Sequence, residues 1–491
     1  MSSLRAALAL SCKTAPVVAV LAFTVGACSS MGDPAGAPTE AQVNAARPVE
    51  TVPTFAGTIE TILQEKCQRC HSEGGIAPFP LVTYEDIRGM GALARAKVVS
   101  KEMPPWGAFD DDACKVQHKL KDDLRLTEDE LAKLVGWLDN GMPRGDDALR
   151  PAPKHYAPVG LEGKTHTMAM PAPYVVAENS GKDEIRCFPI DPGFTADTWI
   201  GGTNVVPGAS QVVHHVIVYV DPKGEGAAKA ATAGGTSYPC FGGPDVHDPS
   251  LLLAWAPGVP PTSYGEDTGL KIPKDAKLVL QVHYHPTNAS TPDQTKFELK
   301  VIEGKPSFVA QVVLLGNAED DKGPIKLLAG ADDPATGPAF VIPANVSAHK
   351  ESMEVVLPET IQGFPLPTLS IAAVGTHMHW AGVDMKVEIE RKNPTADQPA
   401  KECLIGTPKY DFNWQRGYSF DEPADKLPTA AAGDKLRFTC TYDNTMANRH
   451  VRKALAEQNK AAPTEIKLGE QTLDEMCLGV LVVTRRTSLV D

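Results

Sequence analysis

Hydrophobic positions follow two different spacings along this chain of 491 residues. Near the start they recur every three to four positions, as at Phe55, Ile59 and Leu63, which is the spacing of an amphipathic helix. From about Lys182 onward, short β-branched runs alternate with Pro, Gly, Asn and Asp, which is typical of antiparallel sandwiches or barrels. We therefore predict a mainly β protein that is preceded by a small all-α domain.

The first 27 residues are arranged like an export signal. After the basic residues Arg5 and Lys13, an apolar stretch at Ala15–Ala27 is shorter than the roughly 20 residues of a membrane-spanning helix. It leads into Val-Gly-Ala-Cys28, which resembles a bacterial lipobox. We expect lipidation of Cys28 and a tether at residues 28–52, with a plain secretory signal as the alternative. The protein would then be lipid-anchored in a bacterial cell envelope and face the periplasm or the cell surface.

Charge and cysteine content narrow the picture further. The net charge of −14 argues against a nucleic-acid partner, because phosphate binding needs a basic surface. Of ten cysteines, Cys12 leaves with the signal, Cys28 takes lipid and two belong to the motif described next. The six that remain are an even number in an exported chain, which predicts disulfides without fixing their pairing.

The motif Cys67-Gln68-Arg69-Cys70-His71 has the C-x-x-C-H pattern of covalent haem c attachment. Both thiols would form thioethers and His71 would be the proximal iron ligand; a zinc half-site and a redox C-x-x-C are the alternatives. A second axial ligand is often Met, and Met103, which is followed by Pro, is our candidate, with Met90 as the alternative. The all-α domain at residues 53–148 resembles a small class I cytochrome c, and we assign a linker to residues 149–181.

Copper-ligand residue types recur in the β region. His377 and His379 lie two apart in a predicted strand and so share one face, whereas Met378 points away. Imidazole combined with thioether favours copper over zinc. The full candidate set is His214, His215, His283, His377, His379 and Met476.

Five segments that carry these residues resemble the copper type II, ascorbate-dependent monooxygenases, the family of dopamine β-monooxygenase and peptidylglycine α-hydroxylating monooxygenase. The segments occur in the family's order within residues 183–488. They are the run around His214-His215, Ala254–Pro261, Leu280–Tyr284, Thr376–His379 and Asp474–Cys477.

The resemblance implies two jelly-roll-like β-sandwich domains, at residues 182–304 and 305–491, with one of two copper ions on each and a solvent cleft between them. It implies an electron-transfer copper on His214, His215 and His283. It implies an oxygen-binding copper, which abstracts hydrogen from a C–H bond, on His377, His379 and Met476. A disulfide between Cys440 and Cys477 is also implied. We take Cys187 and Cys240 as a second pair, and Cys114 and Cys403 stay unassigned.

Departures from the family narrow the function. Where the peptide-amidating member binds the substrate carboxylate with Arg, Asn and Tyr, this chain has Gly375, Leu478 and Val480, so peptide amidation is not expected. His285 is an additional histidine, either a spare ligand or a residue without a metal role. The aromatic and amide segment Tyr410–Gln415 either lines the cleft or packs in the core.

We therefore expect an enzyme that hydroxylates a C–H bond of an unknown small organic substrate with O₂. The fused haem would supply electrons, which it receives from an ascorbate-like reductant or another cytochrome or quinol system. The alternative is a non-catalytic lipoprotein for haem and copper electron transfer or for copper binding. Whether the haem domain swings on its linker or docks in one place stays open.

Overall fold

The computed structural model describes residues 53–73, 77–154, 160–161, 163–178, 183–256, 259–265, 267–331, 333–361, 363–471 and 473–489. The described residues belong to one compact unit, which spans Val52–Asp491. The predicted export signal, Cys28 and the tether lie outside the described residues. The fold is mainly β, as the sequence predicts, and all but one of the strand pairings between named strands of the described chain are antiparallel.

Most of the helical residues lie in the first part of the chain. The α-helices of the described residues are α1 Glu60–Lys66, α2 Tyr84–Val99, α3 Glu128–Asp139, α4 Glu225–Thr232 and α5 Arg449–Glu457. Capping boxes start α2 at Thr83 and α3 at Thr127, because each threonine hydroxyl accepts a backbone N–H that would otherwise lack a partner. The first three helices enclose a small apolar core around Phe55 and Trp137. Among the described residues, no helix has the length and apolarity needed to cross a bilayer.

Strands make up most of the remaining chain. The first half contains β1 Thr165–Ala169, β2 Tyr174–Val176, β3 Glu184–Ile190, β4 Thr198–Val206, β5 Val213–Asp221, β6 Tyr238–Pro239, β7 Ser250–Trp255, β8 Thr262–Ser263, β9 Thr268–Ile272, β10 Lys277–Tyr284, β11 Thr291–Asp293, β12 Lys296–Ile302 and β13 Phe308–Gly316. The second half contains β14 Ile325–Leu328, β15 Val341–Ile342, β16 His349–Val356, β17 Thr360–Ile361, β18 Phe364–Pro365, β19 Leu369–His377, β20 Gly382–Glu390, β21 Lys401–Gly406, β22 Gly417–Ser419, β23 Thr429–Ala430, β24 Lys435–Tyr442, β25 Ile466–Lys467 and β26 Leu478–Arg486.

One long sheet joins the two halves of the β region. Its strand order is β1-β12-β4-β9-β13-β26-β19-β22, with β8 paired to β4 and β23 to β19. A five-stranded sheet, β6-β3-β10-β5-β7, packs on its first half and encloses the N-terminal core. A second, β14-β16-β24-β20-β21, packs on its other half and encloses the C-terminal core. The two cores therefore share a continuous sheet.

Strand β26 contributes side chains to both cores. Leu481 and Val483 lie in the C-terminal core, whereas Val480 and Val482 pack against the N-terminal core. This follows from the two-residue period of a strand, which sends alternate side chains to opposite faces. Because β26 begins directly after Met476 and Cys477, the segment that bears the candidate thioether ligand is continuous with the strand that connects the cores.

The segment at residues 149–181, which the sequence analysis takes as a linker, contains two strands. Strand β1 pairs with β12 and extends the long sheet, and β2 pairs with β11. Both are short edge strands of the kind that sequence periodicity misses, because only alternate side chains such as Met168 pack against the core. The chain is thus paired to the β region already from Thr165 onward.

The helical segment, residues 53–148, is fastened to the C-terminal core. A disulfide joins Cys114 to Cys403, and Leu120 forms an antiparallel bridge with Phe420. The side chains of Trp106 and Leu120 are buried within the C-terminal core itself, at 3% and 5% exposure. These contacts hold the residues that follow the C-x-x-C-H motif in a fixed position on the second five-stranded sheet.

Candidate metal centres

Three histidines converge where β5 and β10 meet. His283 on β10 lies opposite His215 on β5, and the strand register shifts directly after His283. Because β5 begins only at Val213, both neighbouring imidazoles, His214 and His215, reach the same space. The His215 Nδ1 atom lies 3.3 Å from Nδ1 of His214 and 3.2 Å from Nδ1 of His283. Tetrahedral bonds of ~2 Å from a metal place its nitrogen ligands about 3.3 Å apart, so the N-terminal His cluster has the spacing of a metal site.

The Asp183 carboxylate lies at the edge of this cluster, close to His283 and His285. The Asp183 Oδ2 atom lies 3.0 Å from Nε2 of His283, on the ring edge that faces away from the other histidines. The two atoms are not aligned as a hydrogen bond, but a carboxylate this close to Nε2 favours the tautomer that leaves Nδ1 free for a metal. The other oxygen, Oδ1, lies 2.8 Å from Nδ1 of His285, and this contact raises the pKa of His285. His285 is therefore paired with Asp183, which explains the additional histidine without a role as ligand.

Burial favours the neutral form of His214 and His215. Removal from water lowers the pKa of His214 and His215 well below its usual range, and the neighbouring imidazoles lower it further. A neutral imidazole retains the lone pair that binds a metal, so the site favours the ligand form of these side chains.

The second candidate centre is the His-x-His pair. His377 is the last residue of β19 and His379 follows one residue beyond, with their ring centroids 5.4 Å apart. The Nδ1 atom of His377 lies 2.5 Å from Oε1 of Gln415, and Nδ1 of His379 lies 2.9 Å from the Asp474 carbonyl oxygen. Because both oxygens can only accept, each Nδ1 carries the hydrogen and each Nε2 is left with a lone pair for a metal. Burial lowers the pKa of His377 and brings that of His379 to about 3.

Glu475 holds the backbone around this pair. Its Oε2 accepts the backbone N–H groups of His379 at 2.7 Å and Met476 at 3.1 Å, and its Oε1 accepts that of Ala381 at 2.6 Å. Burial raises the pKa of this carboxyl to about 8, against the effect of these hydrogen bonds. One side chain thereby joins the His-x-His turn to Met476. Met378 is fully buried in the C-terminal core, as the strand alternation predicts.

One aromatic ring contacts both candidate centres. The Phe412 ring stacks on His214 with centroids 4.7 Å apart and meets His379 edge-on at 6.0 Å. It is only 5% exposed and packs also on Trp380, with centroids 4.4 Å apart. The family resemblance implies a solvent cleft at this place, whereas here a buried ring contacts one imidazole from each centre.

The C-x-x-C-H motif follows α1 in a series of turns. Cys67 and Cys70 form no disulfide, and burial raises the pKa of Cys70 and brings that of Cys67 to about 12. The Nδ1 atom of His71 lies 3.0 Å from the Phe79 carbonyl oxygen and must donate to it, which leaves Nε2 directed outward as a ligand.

The two candidate methionines have different surroundings. Met90 packs against the core of the helical segment, which is the ordinary position of a structural methionine. Met103 instead lies in the wall of a cavity of about 390 Å³ between the helical segment and the C-terminal sheets. The cavity is lined by Lys97, Glu102, Met103, Asp411, Asn413, Trp414, Arg449, His450 and Lys453. No residue of the C-x-x-C-H motif lines this cavity, so it does not decide which methionine would bind the haem iron.

All six remaining cysteines are paired. The bonds are Cys114–Cys403, Cys187–Cys240 and Cys440–Cys477. Two of these pairs are those named in the sequence analysis, and the third joins the residues it left unassigned. Disulfides form and persist in oxidising compartments, which indicates an extracellular or periplasmic location.

Comparison with known proteins adds no family. No family model matches the chain, and no curated protein matches it. One solved structure found to match is the VP2 subviral particle of infectious bursal disease virus, at 7% identity and a TM-score of 0.13, covering 66% of this chain and 79% of that one. A likeness of that size carries no argument about fold or function.

Several residues of these centres are absent from the sequence analysis as site residues. Asp183, Gln415 and Glu475 contact candidate ligands from positions distant in sequence, and Phe412 contacts both centres. The only available signals were the aromatic and amide segment that contains Phe412 and Gln415, and the position of Glu475 directly before Met476.

Proposed function

We propose that this protein is an exported copper-dependent monooxygenase that hydroxylates a C–H bond of a small organic molecule. In the balanced reaction, a substrate RH, O₂, two electrons and two protons give ROH and water. The observation that carries the proposal is the convergence of His214, His215 and His283 on one space, near the buried pair His377 and His379, with the Phe412 ring in contact with both groups. The Nδ1 atoms of His377 and His379 both face protein oxygens.

The different ligand sets of the two centres suggest different roles in electron transfer and in oxygen chemistry. The N-terminal cluster of three imidazoles suits a copper that only accepts and passes electrons. The His377 and His379 pair, completed by Met476, leaves room for a further ligand, and a thioether stabilises Cu(I), the state that binds O₂. We therefore assign oxygen chemistry to the C-terminal centre, as in the family that the sequence resembles.

The haem would be held by Cys67, Cys70 and His71, with Met103 as second axial ligand. Bound in this way, a c-type haem supplies electrons one at a time. Two observations suit a haem at this position. Nδ1 of His71 is hydrogen-bonded to the Phe79 carbonyl oxygen, and Cys67 and Cys70 are free thiols that can form thioethers. The fastening of the helical segment by Cys114–Cys403 favours a docked haem over one that swings on a linker.

The substrate is expected to lack a carboxylate that needs an Arg anchor. At the three positions where the peptide-amidating relative has polar anchors, this chain has Gly375, Leu478 and Val480. Gly375 pairs directly with Val480 across β19 and β26, and Val480 packs against the N-terminal core. These three residues therefore offer no polar side chain that could bind a peptide carboxylate.

Metal analysis of the full-length protein tests the proposal. We expect two copper ions and one covalent haem per chain, measured by elemental analysis and by the pyridine haemochrome spectrum. The variant His377→Ala should lose one copper and all hydroxylation, yet keep the haem spectrum. His247→Ala is the matched control, because His247 is exposed and paired with Glu225 far from either centre.

Two outcomes would contradict the proposal. If the copper content of His377→Ala equalled that of the parent, His377 would not be a copper ligand and the proposed C-terminal copper site would be wrong. Two bound coppers with oxygen reduced only to peroxide, and no hydroxylated product from any substrate, would instead support the alternative of a non-catalytic electron-transfer or copper-binding lipoprotein.

A further inference from the structure

The aromatic and amide segment Tyr410–Gln415 is fixed to the His-x-His turn at both of its ends. The Tyr410 hydroxyl accepts the backbone N–H of Met378 at 2.9 Å and donates to the carbonyl oxygen of the same residue at 2.5 Å. At the other end, the side-chain oxygen of Gln415 accepts the Nδ1–H of His377 at 2.5 Å. The residues between these two anchors are thereby held next to the proposed oxygen-binding centre.

Phe412, in the middle of this segment, covers one candidate ligand of each centre. Its ring stacks on the His214 ring at an interplanar angle of 24° and meets the His379 ring at 78°. The Phe412 carbonyl oxygen accepts an N–H of the Gln415 side chain at 3.0 Å, so its backbone is held by a hydrogen bond, whereas its ring is held by packing. A ring held by packing can turn to another staggered rotamer without breaking a hydrogen bond.

The same ring leads through one further ring to the cavity of about 390 Å³ described above. The centroids of Phe412 and Trp380 are 4.4 Å apart, and those of Trp380 and His450 are 5.8 Å apart. The Lys453 ammonium lies 5.1 Å from the Trp380 centroid. His450 and Lys453 line the cavity, and so does Asn413, which follows Phe412 in the chain. Contacts between rings therefore connect the cavity wall with both centres.

The lining of this cavity suits a small polar molecule. Its charges compensate one another, because Arg449 pairs with Glu102 at 3.0 Å and with Asp411 at 2.8 Å. Asn413 and His450 add an amide and an imidazole. A volume of about 390 Å³ lies within the range of sites for small molecules. The described residues that line it include none of the six candidate copper ligands, so the cavity is distinct from the centres themselves.

We propose that the substrate enters through this cavity and that the Phe412 ring is the gate between the cavity and the copper held by His377 and His379. This inference rests on the copper sites of the proposed function and is independent of the haem. With the ring in place, the copper is shielded, and a small molecule reaches it only when the ring turns away. The affinity of any added ligand is therefore reduced by the fraction of molecules in which the gate is open.

Azide tests the gate without knowledge of the substrate, because it binds free positions on Cu(II) and gives a charge-transfer absorption band. The titration uses a His215→Ala background, so that only the C-terminal centre holds copper. If the gate is open in about 10% of molecules or fewer, the apparent dissociation constant is raised about tenfold or more. We expect Phe412→Ala to remove this factor and to bind azide more tightly to that extent. Phe364→Ala, at a ring that is 76% exposed, is the matched control and should behave like the parent.

Two further variants make the test robust. Phe412→Leu keeps most of the side-chain volume and thus the packing on Trp380, and we expect a smaller gain in azide affinity. Asn413→Trp fills the cavity from an exposed position and should slow azide association in stopped-flow absorption measurements. Asn393→Trp makes the same change at an exposed position in the loop between β20 and β21, and its association rate should equal that of the parent.

The possible failures are distinguishable. If both Phe412 variants held copper and bound azide as the parent does, the gate would be refuted while the proposed function stood. An unchanged association rate in Asn413→Trp would refute the cavity as the route. A parent protein without copper at His377 and His379 would refute the proposed function together with this inference.

Discussion

The orientation of His283 by Asp183 leads to a quantitative prediction for copper binding. The Asp183 carboxylate lies 3.0 Å from His283 Nε2 and 2.8 Å from His285 Nδ1, so it serves two imidazoles at once. In Asp183→Asn the amide oxygen can accept from one ring only, and the amide NH₂ meets the N–H of the other. The shape is conserved, so the change removes one contact and adds one repulsive contact.

Loss of such an outer partner typically weakens metal binding by about 10- to 100-fold. We therefore expect the copper dissociation constant of the N-terminal cluster to rise by that factor, which corresponds to roughly 1.4 to 2.7 kcal/mol. The measurement is a chelator competition in a His377→Ala background, so that only the N-terminal cluster binds copper. Circular dichroism and the haem spectrum report whether the fold is retained.

Asp191→Asn is the matched control, because it replaces the same carboxylate by the same amide in the same half of the molecule. Its carboxylate is exposed and pairs with Lys277 at 2.8 Å, away from the cluster. We expect its copper affinity to equal that of the parent. Equal affinity in Asp183→Asn as well would refute the reasoning that this carboxylate sets the His283 ring.

Three further predictions concern the C-terminal half. Gln415→Leu leaves the Nδ1–H of His377 without its acceptor and should weaken the C-terminal copper about 10- to 100-fold in chelator competition. Replacing Cys114 and Cys403 together by Ser opens a link over 289 residues and should lower the unfolding free energy by about 4 kcal/mol in urea titrations. Burial opposes ionisation of Glu402, but its contacts with His118 and Arg391 outweigh burial and lower its pKa, so its ionised form stabilises the fold above about pH 4.3 and this contribution is lost in acid. Glu402→Gln should therefore cost about 3 kcal/mol at neutral pH and less in acid.

Local patterns in the sequence predict the candidate ligands. The spacing of His377 and His379 is enough to place both on one side of a strand end and Met378 in the core, because strand alternation is a local property. The C-x-x-C-H motif is likewise local. The mainly β character was also predictable, since the β region has its own hydrophobic pattern over many residues.

The residues that orient the ligands were not predictable in this way. Asp183 reaches His283 from a hundred residues away, and Gln415 reaches His377 from an irregular turn, so neither contact leaves a periodic signal. The Cys114–Cys403 pair depends on where the helical segment docks, which is a tertiary feature. Strands β1 and β2 were not predicted, because edge strands bury few side chains and therefore show little hydrophobic periodicity.

The most direct test of the central claim is a reaction of the copper-loaded, haem-containing protein with ¹⁸O₂ and a mixture of small cell metabolites, analysed by mass spectrometry. The account predicts one organic product that carries a single ¹⁸O atom, with the other oxygen in water. The product should vanish in His377→Ala and persist in His247→Ala. Oxygen consumption without any labelled organic product, in a protein shown to hold both coppers, would contradict the account.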